Sequence, residues 1–132
     1  MNRIKVNLIA IFVISIALTF ILNRIVDYYK GPSLIIDVHF NKEAYKAGDL
    51  IIIEVHAYNR ELFWGKTPIK GLVFAVQIVD PRGNTVFVFR NVTDSNGKTT
   101  FMVRVAKWWH AGEYKVYIVT PGFLVIKTIK VD

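Results

Sequence analysis

The chain has 132 residues, a net charge of +7 and no cysteine. This length leaves room for one small domain beside a membrane segment, and the lack of cysteine excludes a disulfide-stapled scaffold. A single glutamine beside abundant Ile, Val, Tyr and Lys is typical of proteins from thermophiles, archaea among them.

The chain begins with an apolar segment. Residues 8–22 carry no charge, but fifteen helical residues span only about 22 Å, less than a hydrocarbon core of about 30 Å. The looser apolar stretch over residues 6–26 spans about 31 Å and is therefore long enough to cross a bilayer.

A cleaved signal peptide is the alternative interpretation, because Arg3 and Lys5 would serve as its charged n-region. However, no small-x-small cleavage pair follows the apolar run. Apolar residues also resume beyond Arg24, whose long side chain can reach the headgroups. Tyr28 and Tyr29 then fall where an aromatic belt would lie. These features favour an uncleaved anchor.

The flanking charges give a slight positive-inside bias, which favours a cytoplasmic N-terminus. We therefore predict a single-pass protein of the cell membrane whose C-terminal domain lies outside the cytoplasm. Its predicted parts are an anchor over residues 1–27, a short linker over residues 28–33 and a β-domain over residues 34–132.

Three polar residues recur at every fourth position of the predicted span: Ser15, Thr19 and Asn23. This spacing places them on one side of a helix. In lipid such side chains favour a neighbouring helix as hydrogen-bond partner, which predicts an intramembrane contact. Alternatively, Ser and Thr bond to carbonyls of their own helix, and Asn23 is hydrated at the interface.

The rest of the chain alternates apolar and polar residues in short segments separated by turn signals. Such a pattern is typical of an immunoglobulin-like sandwich. We predict an all-β fold, a seven-stranded immunoglobulin-like sandwich preceded by a single N-terminal transmembrane helix. The predicted strands cover residues 34–40, 50–58, 71–79, 85–90, 99–105, 113–120 and 123–131.

Four motifs fall at the predicted turns and strand edges: Tyr45-x-x-Gly48-Asp49, Asp80-Pro81-x-Gly83-Asn84, Thr93-Asp94-x-x-Gly97-x-x-x-Phe101 and Gly112-x-Tyr114-x-Val116. Over roughly residues 34–120 this pattern resembles macroglobulin-like domains and related bacterial and archaeal immunoglobulin-like modules. The resemblance implies an extracellular β-sandwich that serves as a spacer or an interaction surface. Macroglobulins proper add many domains, a bait region and a cysteine-containing thioester motif, so protease trapping is not implied.

Two strands bring together groups that can bind metals. Asp37 and His39 share one face of the first strand, and Glu54 and His56 share one face of the second. If these strands pair, the four side chains form a candidate zinc site. Cross-strand pairing of opposite charges on a solvent face is the alternative, and no third histidine reinforces a site, so we predict no bound metal.

Motifs for catalysis and for nucleic-acid binding are missing from the sequence. It contains no G-x-S-x-G, no glycine-rich phosphate loop before a helix, and only dispersed carboxylates. Thirteen Lys and Arg against nine Asp and Glu in residues 31–132 form no basic run. We therefore expect no enzyme, no cofactor, no nucleic acid and no small-molecule substrate.

Two loops carry aromatic side chains that suit interface anchors. Leu62, Phe63 and Trp64 lie in the loop over residues 59–70, and Trp108 and Trp109 lie further on. With a short linker and antiparallel strands, the first loop returns to the membrane, whereas the tryptophans point outward. Alternatively the first loop caps the sandwich core, and at least one of the two later tryptophans belongs to that core.

Asn91 opens an Asn-x-Thr sequon, which we place on a membrane-proximal turn as a candidate glycosylation site. For the whole chain we predict a non-enzymatic, membrane-anchored interaction module. It would be an accessory subunit of a membrane or cell-envelope complex, with other membrane subunits and lipid as partners. The alternatives are a surface adhesin or a pilus- or archaellum-type filament component, and a metal-binding extracytoplasmic domain.

Overall fold

A computed structural model describes residues 2–30, 33–63 and 65–132. In these ranges the chain forms one helix, α1 (Asn2–Lys30), and nine strands. The strands are β1 (Leu34–Phe40), β2 (Ala44–Tyr45), β3 (Leu50–Arg60), β4 (Lys66–Pro68), β5 (Val73–Val79), β6 (Thr85–Val92), β7 (Lys98–Arg104), β8 (Gly112–Thr120) and β9 (Phe123–Val131).

The chain divides into two compact units. The first contains Met1–Ile35 and Asn59–Thr67, and the second contains Ile36–Tyr58 and Pro68–Asp132. The loop predicted to return to the anchor therefore belongs, in large part, to the same unit as the helix.

Helix α1 is apolar over most of its surface. Its window Leu8–Asp27 has a mean hydropathy of 2.4, and none of it is buried within the protein. Its length and composition suffice to cross a membrane, a criterion that signal sequences near an N-terminus also meet. The helix continues to Lys30, so residues 28–30 of the predicted linker are helical. The next two residues in the sequence are glycine and proline, which commonly follow helix ends.

The strands form two sheets, which confirms the predicted all-β sandwich. One sheet has the order β1-β3-β4 with β7 also paired to β3, and the other has the order β2-β9-β8-β5-β6. The predicted number of seven strands is wrong, because β2 and β4 were not recognised. Two or three residues are too few for an alternating pattern, and β2 forms by parallel pairing with the distant β9.

Strand boundaries differ from the prediction in five strands. Strand β7 begins and ends one residue earlier than predicted, and β8 begins one residue earlier. Strand β3 continues to Arg60 and β6 continues to Val92, whereas β5 begins at Val73 rather than at residue 71. Gly71 has a φ of 81° and donates its N–H to the carbonyl of Thr93, so it belongs to a turn before β5. The connection between β3 and β5 therefore covers residues 61–72 and contains β4.

The core lies between the two sheets and consists of alternate side chains from their inner faces. Its largest fully buried side chains are Tyr45, Tyr114, Phe74 and Phe101. Both buried tyrosines keep a hydrogen bond for the hydroxyl, Tyr45 with Asn41 Oδ1 at 2.7 Å and Tyr114 with the carbonyl of His110 at 2.7 Å. Burial is the main cause that raises the pKa of each tyrosine.

Two aspartates of the recognised motifs organise turns. Asp80 Oδ1 accepts the backbone N–H of Asn84 at 2.8 Å and of Arg82 at 2.9 Å. Asp94 Oδ1 likewise accepts two backbone N–H groups of its own turn, at 2.8 Å and 3.0 Å. These backbone donors stabilise the charged carboxylates and lower the pKa of both residues. The motif residues therefore determine the fold.

Gly97 ends the second of these turns at a point of close backbone approach. Its φ is 73°, and a Cβ atom there would lie 2.4 Å from the carbonyl oxygen of Ala57. The N–H of Ala57 also bonds the carbonyl of Gly97 at 2.8 Å. Glycine is required here both for the backbone conformation and for the space.

Candidate functional site

The outer face of the five-stranded sheet carries apolar side chains in adjacent rows. In one row the register aligns Leu124 with Val119 and Val119 with Ala75. In the next row Ile126 aligns with Tyr117, and two strands further on Val88 aligns with Gln77. In β5, β8 and β9 these positions alternate with buried residues of the same strand, and Val88 faces the same side as Gln77, with which it aligns. Their side chains therefore point away from the core.

We call this surface the apolar sheet face, and its apolar residues are Val73, Ala75, Val88, Val92, Tyr117, Val119, Leu124 and Ile126. Five of these side chains are exposed large hydrophobics, with exposed fractions from 44% for Val119 to 61% for Val88. Contiguous exposed apolar residues on a folded domain typically mark an interaction surface. The apolar sheet face is therefore the strongest candidate functional site in the second unit.

The apolar sheet face contains one charged residue. Arg90 lies opposite Ala75 in the register and falls between Val88 and Val92 along β6. Gln77, the other polar residue within the rows, donates to Thr85 Oγ1 at 2.8 Å. A shallow groove runs across this face from Arg90 past Ala75 and Val119 to the turn at residues 121 and 122.

The residues proposed as metal ligands lie on the outer face of the other sheet. The rings of His39 and His56 are 6.0 Å apart, and His56 Nε2 lies 3.9 Å from Glu54 Oε2. Lys98 Nζ approaches Glu54 Oε1 at 3.2 Å and thus competes for that carboxylate. Among the described residues, which include Asp37, no group of three or more His, Cys, Asp or Glu could hold a metal ion.

The predicted polar stripe of the helix is exposed. Ser15, Thr19 and Asn23 lie on one side of α1, and Thr19 Oγ1 donates to the carbonyl of Ser15 at 2.9 Å. The hydroxyl of Thr19 is therefore satisfied within the helix, as the alternative interpretation held. An intramembrane partner on this stripe stays a prediction.

The loop with Leu62 and Phe63 is bonded to the end of α1, and Trp64 of the same cluster lies outside the described residues. Arg24 donates to the carbonyl of Phe63, and Arg60 Nη2 donates to the carbonyl of Asp27 at 2.9 Å. The carbonyl of Asp27 is among the last four of the helix, which lack intrahelical donors. A cation there also interacts favourably with the helix dipole.

The two tryptophans of the later loop have different environments. Trp109 is buried, with 8% of its surface exposed, and it stacks on Tyr114 at a ring distance of 5.3 Å. Trp108 is 66% exposed. One of the two tryptophans, Trp109, therefore belongs to the core, as the alternative interpretation held, and is not an exposed interface anchor. Trp108 alone offers an exposed ring.

Asn91 lies in strand β6 and not on a turn, which corrects its predicted position. Its side chain Nδ2 donates to the carbonyl of Thr100 at 3.1 Å, and its Oδ1 accepts the N–H of Val92. A glycan on Nδ2 would leave this nitrogen a single N–H, the one needed for the bond to Thr100.

The apolar sheet face was missed by reasoning from the sequence. The signal lay in strands that carry apolar residues at both alternate positions, such as residues 86–89 of β6 and 123–126 of β9. A strand with one face in water usually alternates with polar residues. A continuous apolar run along a strand of a small sandwich therefore indicates that neither face of this strand is exposed to water.

No family model matches the chain, and no curated protein matches it either. Among solved structures, Salmonella alpha-2-macroglobulin reacted with methylamine is 14% identical with a TM-score of 0.65, covering 77% of this chain and 6% of that one. Trypsin-activated alpha-2-macroglobulin from Escherichia coli is 14% identical with a TM-score of 0.63, covering 75% and 7%. Its native conformation is 14% identical with a TM-score of 0.64, covering 77% and 6%.

At this level of identity the similarity concerns the fold alone. The matched part corresponds to one small portion of a much longer protein, since the chain spans only 6% to 7% of these macroglobulins. The motif pattern in the sequence and the similarity to solved structures therefore indicate the same fold. The strands of this chain form a β-sandwich whose fold is similar to that of a domain of these macroglobulins.

Proposed function

We propose that this chain is a non-enzymatic interaction module held on the outer side of a membrane by α1. It serves as an accessory subunit of a membrane or cell-envelope protein complex. The apolar sheet face carries the proposal, because five large apolar side chains there are 44% to 61% exposed without contributing to the core. A partner protein that covers this face removes them from water.

The energetic scale of this face fits a contact between proteins in one membrane. Fully burying an aliphatic side chain contributes about 1.5–3 kcal/mol, so five half-exposed ones contribute roughly 4–7 kcal/mol. Association of free proteins costs about 4–15 kcal/mol in lost translational and rotational freedom. The face alone gives a weak complex in solution. Anchoring both partners in one membrane raises their effective concentration and reduces this cost.

Helix α1 supports the membrane part of the proposal. Its side chains from Leu8 to Leu22 are exposed on all sides, an arrangement that suits lipid and does not suit water. The stripe of Ser15, Thr19 and Asn23 offers a second contact to a partner helix. The loop residues Leu62 and Phe63 share a compact unit with this helix, where they can add contacts to lipid or to the same partner.

Purification of the full chain in mild detergent from cells that produce it tests the proposal. We expect membrane proteins to co-purify in fixed proportion, and the double change Leu124→Ser with Ile126→Ser to release them. The matched control is Ile52→Ser with Met102→Ser, an aligned pair on the outer face of the other sheet. A monodisperse lone monomer would contradict the proposal, and filaments in electron micrographs would favour a filament subunit instead.

A further inference from the structure

Arg90 is the one charged residue within the apolar sheet face. Its neighbours along β6 on this face are Val88 and Val92, and its neighbour across the sheet is Ala75. Within the part of the chain that the structure describes, no hydrogen bond or ion pair involves its guanidinium. The groove across the face begins at this residue.

The charges around the face leave Arg90 without a compensating carboxylate. Lys115, in the row aligned with Val79, is also a cation. The nearest carboxylate on this face of β8, Glu113, lies at the far end of the strand and is aligned with Lys130. The charged side chains nearest to the apolar rows are therefore the cations Arg90 and Lys115. A surface that covers these rows must desolvate Arg90, and this is costly unless the surface supplies an acceptor.

We propose that the apolar sheet face docks a protein partner that presents an aspartate or glutamate within an apolar surface, and that Arg90 pairs with this carboxylate. The proposal rests on the proposed function and specifies the chemistry of its partner. The planar guanidinium binds a carboxylate through two parallel hydrogen bonds, which fixes the partner in one orientation. The apolar rows supply contact area, and Arg90 supplies specificity.

The shape of the face favours a protein over a lipid surface as the occupant. Its side chains stand on four neighbouring strands of one sheet, with no helix or protruding loop among them. Elements that insert among lipid headgroups are typically amphipathic helices or protruding apolar side chains. An apolar sheet surface is instead covered by another layer of packed protein.

Site-specific photo-crosslinking in native membranes tests this proposal. A photoreactive residue replaces Ile126 or Val88 in the full chain, and the attached species is identified by mass spectrometry. We expect a protein adduct whose crosslinked peptide carries Asp or Glu among apolar residues. The same replacement at Met102, on the outer face of the other sheet, should give at least tenfold less adduct.

The charge of Arg90 provides the decisive comparison. We expect Arg90→Glu to lower the yield of the adduct at least tenfold, because two carboxylates would then face each other. Arg90→Lys keeps the charge without the planar fork and should give an intermediate yield. Lys107→Glu changes the net charge equally at an exposed loop and should leave the yield unchanged. Unaltered melting of each variant excludes unfolding as the cause.

Several outcomes would overturn the proposal. These are an adduct with a phospholipid, an adduct with a second copy of the chain, a protein adduct unaffected by Arg90→Glu, and no adduct from the face at all. If detergent-purified partners persist in any of these cases, the proposed function stands and only this docking site fails. If no membrane protein co-purifies either, both fail together.

Discussion

The two outer faces of the sandwich differ in character although the sheets share one core. On the four-stranded sheet, Glu54 of β3 pairs with Lys98 of β7, and His56 Nε2 lies 3.9 Å from the same carboxylate. On the five-stranded sheet, the equivalent outward positions of β8 and β9 are filled by residues such as Val119 and Leu124. The first face carries more charged and polar side chains, whereas the second is mostly apolar.

The inner faces show that this difference does not arise from the needs of the core. In β3 the buried positions include Ile53, aligned with Phe101, and in β5 they include Phe74 and Val76. Both sheets therefore supply apolar residues to the core in the same alternating way. The additional apolar residues of the five-stranded sheet point outward, so the sheet is apolar on both sides where stability requires only one.

The largest expected effect separates inner from outer apolar residues of the same sheet. Phe74 is fully buried, so Phe74→Ala should lower the free energy of unfolding by about 3–5 kcal/mol through lost burial and a new cavity. Leu124→Ala on the outer face should change it by less than about 0.5 kcal/mol. Chemical denaturation of the full chain in detergent measures both. A similar loss for the two variants would mean that the outer face already packs within the fold.

The next effect concerns the turn where the chain passes from β6 of one sheet to β7 of the other. Gly97→Ala combines a φ of 73° with a clash against the carbonyl of Ala57, so we expect a loss above about 2 kcal/mol. Gly122→Ala is the matched control, because its φ is 78° and nothing lies within 4 Å of the new Cβ. It should cost only about 1–2 kcal/mol. Equal melting temperatures of the two variants would show that the close approach is unimportant.

The sequence predicted those elements whose signals are local. The apolar run predicted α1, and alternation between turn residues predicted all seven longer strands, because a half-buried strand has period two. The sequence did not predict strands β2 and β4. In β2, Tyr45 is placed by pairing with the distant Val131. Tertiary pairing of this kind leaves no trace in two or three residues.

The candidate site was harder to predict for a different reason. The alternation test asks whether one face of a strand is apolar, and residues 123–126 satisfy it without revealing that Leu124 and Ile126 point outward. The isolation of Arg90 depends on the register that places it opposite Ala75. Register follows from tertiary packing, so only the structure places this charge within an apolar surface.

A smaller effect concerns acid, and it should arise in the turns rather than on either face. The backbone N–H of Lys98 is the main cause that lowers the pKa of Asp94, and the backbone N–H of Asn96 lowers it further. Since its folded pKa lies below the unfolded value of about 3.9, its contribution is present above that pH and is lost as the pH falls further. Asp94→Ala should therefore flatten the decline of stability between about pH 4 and pH 2, as measured by denaturation at each pH.

The smallest change in stability should come from the polar outer face, where Lys98 Nζ lies 3.2 Å from Glu54 Oε1 with both side chains partly exposed. Because water screens such a pair, Glu54→Gln should lower the free energy of unfolding by at most about 0.5 kcal/mol. Leu124→Ser should change it as little, yet only Leu124→Ser should release co-purifying partners. Denaturation and co-purification of both variants separate stability from binding. Loss of partners with Glu54→Gln would identify the polar face as the binding surface and reverse the comparison.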